Sequence, residues 1–91
     1  MVEAAETREV RLKRLRMRSW RRGTREMDLL LGPYADERLD ALEPEALDRY
    51  EALLAEADTD LYAWAMGREA APEPYGTLVA AIREAAERRR A

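Results

Sequence analysis

Apolar positions along this chain recur every three to four residues and never settle into the alternation of a half-buried strand, so helix is the only regular element they predict. Residues 1–7 carry no periodicity and read as a frayed lead-in. From Arg8 to Arg22, Val10, Met17 and Trp20 fall on one helical face, Leu12 and Leu15 widen it, and bases fill the rest. That spacing predicts a helix ending near Gly23. Met27, Leu30, Leu31 and Tyr34 then stand at i, i+3, i+4 and i+7. Thr24 is placed to cap this segment, and Glu26 and Asp28 suit a first turn whose free N–H groups favour acids. Gly32-Pro33 interrupts the face. Proline has no N–H to give and crowds the preceding turn, so a kink or break is expected, with helix resuming over 36–42 and Leu39 and Leu42 extending the apolar face.

Pro44 reads as a first-turn proline opening a helix that carries Leu47, Tyr50, Leu53, Leu54 and Ala57. Asp58 is a natural N-cap for a segment over 59–66, with Leu61, Trp64 and Ala65 inward and Gly67 as its stop. After a connection over 68–73, Pro74 starts a last helix in which Tyr75, Leu78, Val79, Ile82 and Ala86 keep helical spacing. Residues 87–91 read as a solvated tail that frays, with Arg88, Arg89 and Arg90 favoured at a helix C-terminus. The expectation is an all-α, compact bundle of about five short helices, one domain over 8–86.

A chain of 91 residues is close to the lower size at which one hydrophobic core suffices. With six aromatics and no Phe, that core must be mostly Leu and Ala. There is no Cys, which removes disulfides, thiolate metal sites and cysteine nucleophiles, and no His, the usual acid–base residue near neutral pH. A self-contained enzyme is therefore not expected, and any catalytic histidine would belong to a partner. Asp58 and Asp60 have no further clustered ligands, so a cap and a first-turn acid are expected there and no metal site.

The net charge of −3 hides a strong asymmetry. Nine bases crowd the first 25 residues, whereas between Glu26 and Ile82 only Arg38, Arg49 and Arg68 stand among many acids. A basic head on an acidic body suits an electrostatically steered encounter.

The stretch from Ser19 to Asp28 concentrates this chemistry. In a continuous helix Arg22 and Glu26 would lie four apart on one face, and on spacing alone two readings stand. One is an exposed ion pair contributing roughly 0–1 kcal/mol, with Gly23 marking a turn between helices. The other is a docking surface on which arginine forks meet carboxylates, Gly23 admits a close backbone approach, and Glu26 receives a partner's base. Trp20 adjoins this surface and suits packing or anchoring a partner equally; Trp64 and Tyr75 read as packing residues.

Arg21-Arg22-Gly23-x-x-Glu26-Met27-Asp28-Leu29, then Leu31-Gly32-Pro33-Tyr34, then Leu53-Leu54-x-x-x-Asp58-x-Asp60-Leu61-Tyr62-x-Trp64 form an ordered series of blocks. In this series the chain resembles the FAD assembly factors that help flavinylate succinate dehydrogenase, over roughly 10–82. The resemblance implies a chaperone that binds the flavoprotein subunit of succinate dehydrogenase and promotes covalent attachment of FAD. Both the flavin and the histidine that joins its 8α-methyl carbon would be the partner's. Arg22, Gly23 and Glu26 carry over as the interface motif, with Arg21, Arg25, Asp28 and Trp20 as neighbours in it. Fumarate reductase stands as a further possible client. The chain has no strand followed by a Gly-rich phosphate loop, so it is not expected to bind FAD itself. The Arg-rich lead-in and the Ala-rich last helix depart from the family pattern without removing a motif residue.

Two other classes compete. The basic head could neutralise phosphates, which is the first mark of a nucleic-acid binder, but the acidic body and scarcity of aromatics count against it. A structural helical module binding some other protein is the third. No stretch is long and apolar enough to cross a bilayer, no secretory core is present, and Glu3, Glu6 and Glu9 argue against a mitochondrial presequence. The expectation drawn from these features is a cytosolic monomer that binds neither membrane nor nucleic acid.

Overall fold

Thr7 caps the first helix, its Oγ1 accepting from the Val10 N–H at 3.1 Å. A computed structural model describes residues 6–90 of the chain. Five α-helices follow in order: α1 (Arg8–Trp20), α2 (Arg25–Arg38), α3 (Pro44–Leu54), α4 (Asp58–Ala65) and α5 (Gly76–Arg90), with a 3₁₀ turn over Leu39–Ala41. There is no strand among the described residues, and the protein is all-α.

Most elements end where their sequence says they should. Thr24 caps α2 by accepting from the Met27 N–H at 3.2 Å, and Pro44 takes the first position of α3, where its missing N–H costs nothing. Gly67 stops α4 in the left-handed region at φ +77°. Its N–H bonds the Trp64 carbonyl while the Arg68 N–H reaches Ala63, the paired bonds of a Schellman stop.

The Leu-rich core was legible in the periodicity. Leu15, Leu31, Tyr34, Leu39, Leu47, Tyr50 and Leu53 are fully buried, each leucine worth about 1.5–3 kcal/mol of burial. Tyr34 stacks on Tyr50 with ring centroids 5.8 Å apart. The one buried polar side chain among the described residues, Ser19, sits at the end of this stack. Its Oγ donates to the Leu15 carbonyl at 2.8 Å and accepts from the Tyr50 hydroxyl at 2.6 Å. Burial pushes the Tyr50 phenol well above its ordinary pKa.

Several expectations are corrected. Gly32-Pro33 does not break the helix: α2 runs unbroken to Arg38, so that residues 36–38 of the expected second segment belong to it and Leu39–Ala41 form a 3₁₀ turn. The buried face of α1 is Leu12, Leu15 and Ser19, while Val10 and Met17 point outward, because the α1 face opposed to α2 and α3 lies half a turn away from them. Asp58 does not cap α4; Ala57 occupies that position and the Asp58 carboxylate is drawn to Arg22. The last helix opens at Gly76, not Pro74, and extends through Arg88, Arg89 and Arg90 where fraying was expected. Of the lead-in, residues 1–5 lie outside the described residues, whereas Glu6 pairs with Arg14 at 2.8 Å. No helix among the described residues is long and apolar enough to cross a membrane, and they contain no cluster of potential metal ligands.

Candidate docking surface at the α1–α2 junction

Four residues, Arg21 to Thr24, turn the chain from α1 into α2. Arg21 ends the helix with its N–H on the Arg18 carbonyl at 3.3 Å. Gly23 follows at φ +112°, a backbone conformation L side chains rarely adopt, and the space where its β-carbon would stand is empty to beyond 4 Å. Glycine is therefore required here by the turn itself, and the spot it leaves is open to the outside. Asp28 locks the turn from the first part of α2, its Oδ1 accepting the Arg22 N–H at 2.7 Å.

Arg22 does not pair with Glu26. Its side chain, 11% exposed, runs inward to the corner between α3 and α4. Nε and Nη2 donate to Asp58 Oδ1 at 2.9 and 2.6 Å, Nη1 donates to the Leu54 carbonyl, and Nη2 also reaches the Glu56 carbonyl at 3.0 Å. The carbonyls at the end of α3 have no helical partners of their own, so one guanidinium satisfies them and holds the start of α4 at once.

The remaining motif residues face solvent. Arg21, Gly23, Arg25 and Glu26 are exposed, and the Arg21, Arg25 and Glu26 side chains make no ion pair or hydrogen bond among the described residues. Trp20, Arg21, Gly23, Arg25 and Leu29 rim an open cleft of about 600 Å³. Glu26 stands beyond it, over a second cleft of about 540 Å³ floored by Met27, Tyr62 and Asp58. Trp20 lies across α2 with its ring on Gly32, where any β-carbon would overlap the indole, and its Nε1 donates to Asp36 at 3.1 Å. Gly32 thus exists for Trp20, and the exposed edge of the ring borders the cleft.

The structure therefore brings Trp20, Arg21, Gly23, Arg25 and Glu26 to one surface and gives Arg22 and Asp28 the task of shaping it. Asp58 was missed as a partner of Arg22, its position at a helix start having suggested a cap.

The molecule is a small all-α domain whose described buried polar side chains are all paired internally and whose α1–α2 junction is exposed. A family model described as the flavinator of succinate dehydrogenase matches residues 13–86, and the chain belongs to this family of succinate dehydrogenase assembly factors. It is similar to succinate dehydrogenase assembly factor 2, mitochondrial, of Meyerozyma guilliermondii, at 48% identity over 60 residues, covering 66% of this chain and 44% of that one. The protein of the same name from Schizosaccharomyces pombe is 40% identical over 70 residues, 77% of this chain and 50% of that one. The chain spans about half the length of the curated relatives it matches. These relatives are named as mitochondrial, which overturns the cytosolic expectation: acids at Glu3, Glu6 and Glu9 concern those positions alone and do not decide the compartment.

Proposed function

We propose that this chain docks on the flavoprotein subunit of succinate dehydrogenase through the α1–α2 junction and promotes covalent attachment of FAD to that subunit's histidine. The observation that carries the proposal is the state of the motif: Gly23 and Glu26 are open and unpaired within a family of flavinators, while Arg22 is spent internally on fixing their position. The flavin and the nucleophilic histidine are the client's, and the bond forms by the client's own chemistry. This chain contributes no reacting group and holds no FAD. It acts as a single copy, keeping the client in the arrangement from which the bond forms, and positioning of that kind is worth several kcal/mol of barrier. Internal pairing of most α1 arginines with Glu51, Asp48 and Asp40 weakens the nucleic-acid alternative, since those charges are not free to neutralise phosphates.

Co-expression with the flavoprotein subunit, followed by a denaturing gel read for flavin fluorescence, tests this. More covalent flavin than the subunit acquires alone is expected; an equal amount defeats the proposal. The same assay with the flavoprotein of fumarate reductase measures whether the client range extends to it.

A further inference from the structure

The bases of the N-terminal region divide into two groups. Arg11 and Arg14 reach Asp48 and Glu51 on α3, Arg18 approaches Glu51, Arg16 pairs with Asp40, Arg8 donates to the Asp40 and Leu42 carbonyls, and Arg22 is held at Asp58. Lys13, Arg21 and Arg25 are exposed and enter no ion pair among the described residues. These three stand on the side of the molecule that carries the exposed large apolar side chains: Val10 at 55%, Met17 at 47%, Trp20 at 38% and Leu29 at 49%.

Val10, Lys13 and Met17 fall at i, i+3 and i+7 on the outer ridge of α1, opposite the buried Leu12, Leu15 and Ser19. The ridge leads to the cleft that Trp20, Arg21, Arg25 and Leu29 rim beside Gly23. The ion pairs on both flanks of α1 hold the helix down and present this ridge in one fixed orientation, which lowers the ordering cost of an encounter.

We propose that the outer ridge of α1, from Val10 through Lys13 and Met17 to the Arg21–Leu29 cleft, is a docking surface for an acidic, apolar-studded segment of the client protein. This rests on the function proposed above and adds a second area of contact, continuous with the Gly23–Glu26 surface. Charge complementarity selects the occupant: uncompensated cations alternate with uncovered apolar side chains, so the matching surface alternates acids with small apolar pockets. Glu9 beside the ridge and Glu26 at its end would repel a uniform phosphate or lipid surface, as would the chain's net charge of −3, whereas a protein segment can place a base opposite each.

The test compares wild type, a Val10→Asp/Lys13→Glu/Met17→Asp triple variant and Glu26→Ala, titrated against the purified flavoprotein subunit by calorimetry at two salt concentrations. The triple variant is expected to bind about tenfold or more weakly, with a smaller salt dependence, while its circular dichroism and melting temperature match wild type. Equal affinity for the triple variant, with Glu26→Ala weakened, overturns the ridge and leaves the junction intact. Absence of wild-type binding together with no gain in covalent flavin overturns both. Sedimentation with phosphatidylcholine–phosphatidylglycerol vesicles supplies the third arm: capture of wild type but not of the triple variant, with client affinity unchanged, assigns the ridge to lipid and overturns the proposal.

Discussion

Arg22 and Asp58, 36 positions apart, make the polar contact that ties the α1–α2 junction to the corner between α3 and α4. Arg22 is largely enclosed while Asp58 keeps one side to solvent, and the same guanidinium also covers the carbonyls of Leu54 and Glu56. Removing Asp58 leaves the buried guanidinium its two carbonyls but no counter-charge, and removing Arg22 leaves the Leu54 and Glu56 carbonyls without their donor. Arg22→Ala is expected to cost about 2–3 kcal/mol and Asp58→Ala about 1–2 kcal/mol, with the double variant little worse than Arg22→Ala because the two share one interaction. Urea melts of the four proteins of the cycle check this, and strict additivity would show that the contact contributes nothing.

Gly23 and Glu26 should separate stability from function. Gly23→Ala forces a β-carbon into a backbone at φ +112°, at a cost of about 1–2 kcal/mol although nothing stands in its way. Glu26→Ala touches no internal partner and should shift stability by less than about 0.5 kcal/mol. Both should lower client binding and covalent flavin yield. Stability measured beside in-gel flavin fluorescence distinguishes them, and a Glu26→Ala protein that flavinylates normally would remove Glu26 from the docking surface.

The Trp20–Gly32 approach predicts a loss that the glycine's place in a helix would not suggest. Alanine is the better helix former by about 1 kcal/mol, yet Gly32→Ala should destabilise by about 1–3 kcal/mol because the indole must be displaced. A red-shifted Trp emission should accompany the fall in melting temperature. A stabilised variant would mean that the ring does not rest on α2.

Acid should loosen α1 from α3. Hydrogen bonding from Arg14, with Arg11 adding to it, holds the Glu51 carboxyl below the ordinary carboxylate value of 4.5 against the opposing effect of its partial burial. A carboxyl with a depressed folded pKa stabilises the fold fully above its unfolded value, and that contribution is lost as pH falls through the lowered one. Melting temperature should therefore drop on acidification below about pH 4.5, and Glu51→Gln should show a shallower acid limb with a lower plateau at neutral pH. Parallel acid limbs for the two proteins would exclude Glu51 as the source.

The five helical segments, the Thr24 cap, the Pro44 start, the Gly67 stop and the Leu-rich core were legible in the amino-acid order, whereas the course of the chain past Gly32-Pro33, the cap of α4 and both ends of α5 were not. Each legible feature depends on residues within a turn or two, and on a spacing that backbone geometry imposes. The motif was legible as a block, but its division of labour was not. Arg22 looked like the partner of Glu26 because four residues separate them, and only a turn at Gly23 at φ +112° sends its side chain the other way.

In α1 the apolar residues Val10, Leu12, Leu15, Met17 and Trp20 surround much of the helix, so periodicity could not select the buried face. What the sequence by itself determined was therefore the set of helices, the ends that a local cap, proline or glycine fixes, and the family to which their order belongs. Tertiary structure alone decided that Leu12, Leu15 and Ser19 face the core, that Trp20 rests on Gly32, and that Arg22 spends its charge on Asp58 while Lys13, Arg21 and Arg25 keep theirs. The reason is reach. A cap or a periodic face is settled by neighbours in the chain, whereas the acid that a long arginine side chain finds depends on where distant helices have packed.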